Sequence, residues 1–140
     1  MVRTVDPKSI SKDLWSLAHY VRSYIHLFSG DISNAINDCD AFIKIIVKQA
    51  KSGINQATFE FIDRLVRFYM HCGRIYHLRG SFVEAEYFYK KGLEISRRSN
   101  SSVYQLDSNI WLSEIEYQKD QLEKSKTFIT EASDYLKTVN

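Results

Sequence analysis

The sequence predicts an all-α chain, and three observations carry that expectation: scarce turn material, one proline placed at the very start, and apolar residues recurring at helical spacing. Glycine and proline number five and one in 140 residues, well below the roughly 12% of an ordinary protein, and a sheet-rich fold needs more turns than that supplies. Pro7 is the only proline, so no later segment meets the fixed dihedral and missing N–H that break a helix. With 44% hydrophobic residues and a net charge of +2 from 19 basic and 17 acidic side chains, the chain has the material for a core and is no polyelectrolyte.

Asp6-Pro7 opens the first predicted helix, the acid as N-cap acceptor and the proline with its first helical dihedral pre-set. Leu14, Leu17, Ala18, Val21, Ile25 and Phe28 then recur at three- and four-residue intervals, which predicts one buried stripe ending at Ser29-Gly30. A second helix is expected from about Asp31 to Lys51 through Ile36, Cys39, Phe42 and Ile46, ending at Ser52-Gly53. A third should run from about Asn55 to Arg79 and stop at Gly80, and a fourth from about Val83 to Arg98. Ser99 to Ser102 is the clearest loop, because serine and asparagine bond their own backbone in competition with helix. Two more helices follow, about Val103–Gln118 and Gln121–Lys137, joined near Lys119-Asp120. Six helices with short connections predict a right-handed stack of three antiparallel hairpins, about residues 8–52, 55–98 and 103–137, in one domain that is part of a larger protein.

Cys39 and Cys72 lie inside apolar helical patterns and are expected as buried free thiols in a reducing compartment. No run approaches the roughly 20 apolar residues that span a bilayer. Residues Met1 to Ser11 lack a basic-then-apolar signal, so the expectation is a cytoplasmic or nuclear chain with no membrane partner.

The hairpins echo one another. Gly80-Ser81-Phe82-Val83-Glu84-Ala85 matches Gly30-Asp31-Ile32-Ser33-Asn34-Ala35 and, more weakly, Asp120-Gln121-Leu122-Glu123-Lys124-Ser125, at offsets of 50 and 40 residues. The shared feature with a physical reason is the small residue, Ala35, Ala85 or Ser125, expected where the second helix of a hairpin approaches the first. In the middle hairpin Tyr69, Cys72-Gly73, Tyr76, Gly80, Phe82, Ala85, Tyr89, Gly92 and Leu93 stand at the spacing of a tetratricopeptide repeat, which this segment resembles; the usual terminal proline is absent, with Arg97 near its place. The first hairpin keeps Gly30, Ile32, Ala35 and Phe42-Ile43 of that pattern, and the third keeps Leu122, Ser125, Ile129 and Ala132. The resemblance implies a tetratricopeptide-like α-solenoid that binds protein and scaffolds an assembly. More narrowly, Gly80 to Ser96, with Leu112 to Glu116 and Leu122 to Ser125, is similar to the helical-repeat region of separases, the proteases that open cohesin in chromosome segregation. That likeness implies a scaffold that binds an extended acidic inhibitor of the securin kind, with the catalytic cysteine and histidine outside this chain. The alternative is a general adaptor that captures a peptide or partner helix in another assembly.

The search for chemistry yields little. His71 and Cys72 are adjacent and so point about 100° apart on a helix, which prevents a nucleophile–base pair. His19 and His26 share a face, but Tyr20, Arg22 and Ser23 between them offer no further ligand, so a partly buried histidine pair is expected rather than a metal site. The five glycines are scattered singly and form no phosphate loop. The expectation is a non-catalytic chain with no cofactor and no metal.

Charge is distributed less evenly than its total. Arg64, Arg67, His71 and Arg74 lie at intervals of three, four and three, with His77 beyond them, and no acid occurs between Arg64 and Gly80. In a tetratricopeptide-like stack this stripe would face the concave groove, where guanidinium forks suit an acidic segment. The competing reading pairs the arginines internally, with acids such as Glu60, Glu84, Glu86 or Glu114. Nucleic acid is not expected at a net +2. From Asp107 to Lys137 seven acids face four lysines, so the C-terminal end is acidic. Leu14, Trp15 and Phe28 at one end, and Trp111, Phe128 and Tyr135 towards the other, are candidates for docking neighbouring repeats or another subunit.

Overall fold

The computed structural model describes residues 12–50 and 59–138. Among them it shows six helices and no strand: α1 (Lys12–Phe28), α2 (Ile32–Ala50), α3 (Phe59–Leu78), α4 (Phe82–Arg98), α5 (Ser102–Gln118) and α6 (Leu122–Thr138). The chain is all-α, and its helices form hairpins of consecutive partners. The expected helix start at Asp6-Pro7, the exit at Ser52-Gly53 and the helix start at Asn55 lie outside the described residues. Two compact units divide the chain: Met1–Gln56 carries the α1–α2 hairpin, and Ala57–Asn140 carries α3–α4 and α5–α6.

One connector is used four times. After α1, α3, α4 and α5 the chain turns through a residue in the left-handed region, Gly30 (φ 79°), Gly80 (φ 80°), Asn100 (φ 54°) and Asp120 (φ 58°). The N–H after each returns to the carbonyl five residues back: Asp31 to His26 at 2.8 Å, Ser81 to Tyr76 at 2.9 Å, Ser101 to Ser96 at 2.9 Å and Gln121 to Glu116 at 2.8 Å. The left-handed residues bond their own N–H three back, which completes the Schellman closure of a helix end. Glycine adopts that conformation freely, and asparagine and aspartate are the side chains that tolerate it best. Asp31 also caps α2: its carboxylate accepts from the Asn34 N–H at 3.2 Å and the Asn34 amide at 2.6 Å, and these bonds lower its pKa.

Each hairpin carries a small residue twelve positions before the small residue of its second helix: Ser23 before Ala35, Gly73 before Ala85, Ser113 before Ser125. Ser23, Ala35 and Ala85 are fully buried. In the third pair the two hydroxyls meet at 3.0 Å, and each serine donates to the other's carbonyl, at 3.0 and 2.9 Å. A Cβ on Gly73 would lie under 3.0 Å from three atoms of the Tyr89 ring, Cε1, Cδ1 and Cζ. Gly92 faces Met70 and Ser108, where α3, α4 and α5 meet. The core of this unit is Val66, Met70, Ala85, Tyr89, Leu93, Leu112 and Ile115. Burying such side chains stabilises by about 1.5–3 kcal/mol each. Sandwiched between α4 and α6, α5 also buries Gln105, Ser108, Asn109, Ser113 and Glu116. Gln105 donates to the Ser96 carbonyl at 3.3 Å and Asn109 to the Gln105 carbonyl at 2.9 Å.

The apolar stripe of α1 is not the buried one. Leu17, Val21, Ile25 and Phe28 are exposed, whereas Ser23 is buried and His19 and His26 are partly so. The physical reason is Asp38, a buried carboxylate on α2 that draws the polar face of α1 inward. A carboxylate in that position requires charged or hydrogen-bonding partners.

Candidate functional site

Arg67 and Arg74 on α3 are held by their own unit. The Arg67 Nε lies 2.9 Å from Asp63, one turn earlier, and donates to the Tyr104 hydroxyl at 2.5 Å. Tyr104 in turn donates to Asp63 at 2.7 Å. Burial and this acceptor raise the Tyr104 pKa, so the hydroxyl keeps its proton. Arg74 lies 3.7 Å from Asp107 and sits over the Trp111 ring, 5.2 Å from its centroid. The Trp111 indole donates to the same aspartate at 3.1 Å. The stripe thus joins α3 to α5 through Tyr104 and Asp107. Arg64 is exposed on α3.

His71 does not stand with the arginines at the surface. It is 1% exposed, because the middle of α3 buries Leu65, Val66, Phe68, Met70, Cys72 and Ile75 as well, leaving little of the helix circumference to solvent. Burial, with a smaller contribution from Arg74, lowers its pKa from 6.5 to about 4, so the ring is neutral at pH 7. His77 bonds Gln118 at 3.1 Å and meets Phe82, Tyr89 and Trp111 edge-on. Tyr69 and Tyr76 stack on Phe88 at 6.2 and 5.3 Å, and Ala132 is buried on α6.

In the first unit Asp38 gathers three basic side chains. His19 Nδ1 lies 2.8 Å from it, Arg22 Nη2 3.3 Å and His26 Nε2 3.6 Å. The histidine pair read from sequence is therefore a set of partners for a buried acid. Sequence reasoning missed that acid because it comes from α2, nineteen residues after His19. No group of three or more potential metal ligands occurs among the described residues, and no described helix is long and apolar enough to cross a membrane. Cys39 and Cys72 are fully buried.

The second unit exposes Leu78, Val83 and Tyr87 on α3–α4, and Ile110, Tyr117, Ile129 and Leu136 on α5–α6. An open groove of about 680 Å³ is lined by Ile110, Trp111, Ser113, Glu114 and Tyr117 of α5, Ser125 and Ile129 of α6, and His77 of α3. Shifted by the 40-residue offset between the two hairpins, Ile110, Ser113, Glu114, Tyr117 and Ile129 correspond to Met70, Gly73, Arg74, His77 and Tyr89. The environments differ sharply: Met70 is 4% exposed and Ile110 43%, Tyr89 0% and Ile129 50%, Ser96 0% and Leu136 54%. The difference comes from α5, which covers the first set. Ser108 donates to the Met70 sulfur at 3.2 Å, Trp111 stacks on Tyr89 at 5.9 Å, and Gln105 reaches the Ser96 carbonyl. Trp111, Phe128 and Tyr135, candidates for docking or for core packing, are half-buried, and the first two pack on the core. Phe28 is exposed, and the side chains of Leu14 and Trp15 lie outside the described residues. No protein-family model, curated protein or solved structure matches this chain.

Proposed function

We propose that the chain is a non-catalytic, protein-binding helical-repeat module of the tetratricopeptide kind whose docking surface is the open face of α5–α6. The observation that carries this reading is the contrast between equivalent hairpins: Met70, Tyr89 and Ser96 are covered by a helix, and Ile110, Ile129 and Leu136 are not. A repeat hairpin buries its apolar faces only by stacking, so an apolar outer face supports a further helix against it. Binding is favoured over catalysis because both thiols are buried and His19 and His26 serve Asp38. The apolar face also takes precedence over the arginine stripe, since an acidic segment there would have to displace Asp63 and Asp107 from Arg67 and Arg74.

The likeness of Gly80–Ser96 to separases supports a narrower proposal, that the module serves chromosome segregation in the nucleus or cytoplasm. The alternative is an adaptor in another assembly. A cysteine-protease domain in the parent protein would favour the first, and a parent without one would remove it. The binding reading itself is tested by quantitative comparison of proteins co-purifying with the wild type, Ile129→Asp and Arg98→Asp. Both substitutions replace exposed side chains; Ile129→Asp should leave stability within about 0.5 kcal/mol, and Arg98→Asp, which turns the pair with Glu94 into a repulsion at the end of α4, within about 1 kcal/mol. Loss of a discrete set of proteins from Ile129→Asp alone is expected; identical sets from all three would refute the α5–α6 face.

A further inference from the structure

We infer that the occupant of the α5–α6 face is an amphipathic helix of a partner protein whose charge order is the reverse of α5: basic where α5 carries Asp107, acidic where the chain carries Lys119 just beyond α5. The inference rests on the binding reading above and adds the chemistry of the partner.

The α5–α6 face continues an interface the molecule already contains. On the α3–α4 hairpin, the segment from Tyr104 to Lys119 is the covering helix and its C-terminal turn. Ser108 and Trp111 supply the packing contacts, on Met70 and Tyr89. Two charge pairs set the register: Asp107 with Arg74 at 3.7 Å, and Lys119 with Glu86 at 2.6 Å. The second pair is strong enough to hold the Glu86 carboxyl down at about 2 against the opposing effect of burial, with Lys90 assisting.

At the 40-residue offset the apolar positions Met70 and Tyr89 are kept as Ile110 and Ile129, and both charges change sign. Arg74 becomes Glu114 and Glu86 becomes Lys126. Both are exposed; Glu114 accepts from the Gln118 amide at 2.9 Å and Lys126 contacts Glu123 at 2.9 Å. A helix docked as α5 docks would place its Asp107 equivalent against Glu114 and its Lys119 equivalent against Lys126, two like-charge contacts. Reversing both restores two attractive ones, while the aromatic and small residues of the docking stripe still fit Ile110, Ser113, Tyr117 and Ile129. Like-charge juxtaposition is how interfaces exclude wrong partners. It excludes a second copy of this chain presenting α5, which is in any case sandwiched between its own α4 and α6.

The test uses two lactam-bridged, fluorescein-labelled peptides covering Ser102–Lys119: the native sequence, and the same sequence with Asp107→Lys and Lys119→Glu. Bridging pre-forms the helix, which a free peptide of this length would not hold. Anisotropy titrations against the full chain should show the reversed peptide binding at least tenfold tighter, an advantage that shrinks towards about 0.5 M salt as exposed pairs are screened. Placing Glu114→Lys with Lys126→Glu in the protein should invert the preference. Equal binding of the two peptides, no binding of either, or a preference indifferent to that protein variant would overturn the inference. So would a dimer in sedimentation that Ile129→Asp dissolves, which would make a second copy the occupant. If Ile129→Asp still loses co-purifying proteins while the peptides are not distinguished, the charge rule alone fails; if Ile129→Asp changes neither assay, the binding face fails with it.

Discussion

Gly73 and Gly92 are both buried helical glycines, and alanine at each should give opposite outcomes. At Gly73 the new methyl would lie under 3.0 Å from three atoms of the Tyr89 ring. That ring has nowhere to go: it is fully buried, stacks on Trp111 at 5.9 Å and meets His77 edge-on at 6.4 Å. Overpacking costs roughly 1–3 kcal/mol, and a rigid aromatic obstacle belongs at the upper end. Alanine returns about 1 kcal/mol of helix propensity, leaving a net loss of about 1–2 kcal/mol. At Gly92 the obstacle is the Met70 sulfur at 2.9 Å, the flexible end of a side chain that can shift by a rotamer. There the propensity gain should offset the crowding, with a change within about 0.5 kcal/mol. Urea denaturation followed by helix ellipticity measures both. Thermal scans should show Gly73→Ala melting about 4–10 °C lower. A Gly73→Ala protein as stable as the wild type, or losses of equal size at the two sites, would refute the close approach of α3 to Tyr89.

Other perturbations test the connectors, the buried histidine and the arginine network. Gly80→Ala meets no neighbouring atom, so its cost is the left-handed backbone alone, about 1 kcal/mol; Asp120→Gly should stabilise by a few tenths to about 1 kcal/mol, and equilibrium unfolding reads both. Because the His71 pKa is lowered to about 4 in the fold, the unfolded chain binds the extra proton between pH 6.5 and 4, and stability must fall as pH falls through that window. The loss is about 3 kcal/mol at most, and it should flatten in His71→Phe when urea midpoints are compared across pH. Arg67→Glu with Arg74→Glu removes the two arginine contacts to α5 and adds repulsion against Asp63 and Asp107, so it should destabilise by about 1–3 kcal/mol. Intact stability with impaired partner binding would instead restore these arginines as a docking stripe.

Helix positions were legible in the sequence to within one residue at every described end that was assigned, because the apolar period and the turn residues Gly30, Gly80 and Asp120 agree. The small residues Ala35 and Ala85 were legible for the same reason. Their partners Ser23 and Ser113 were not read, although the twelve-residue spacing shown by Gly73 and Ala85 points to both. The burial of α1 was misread because periodicity identifies a face without saying whether that face is covered; Asp38 decided the matter from another helix. The Arg67–Asp63 pair was available from helical spacing, one turn back, whereas the Arg74–Asp107 pair depends on how α5 packs. The uncovered α5–α6 face was the least legible part. Trp111 and Phe128, weighed between docking and core packing, pack on the core, and the comparison of two hairpins in one register shows Ile110, Ile129 and Leu136 uncovered.

The central claim is that a protein partner covers α5–α6, and site-specific photo-crosslinking in cells tests it most directly. A benzophenone amino acid is placed in turn at Tyr117, Ile129, Arg64 and Arg98 of the full chain, all of them exposed positions. The account predicts one discrete adduct shared by Tyr117 and Ile129, absent from Arg98, with the cross-linked site mapping to an amphipathic helix of the partner. Adducts from Arg64 alone, or none above the Arg98 background at Tyr117 and Ile129, would contradict it.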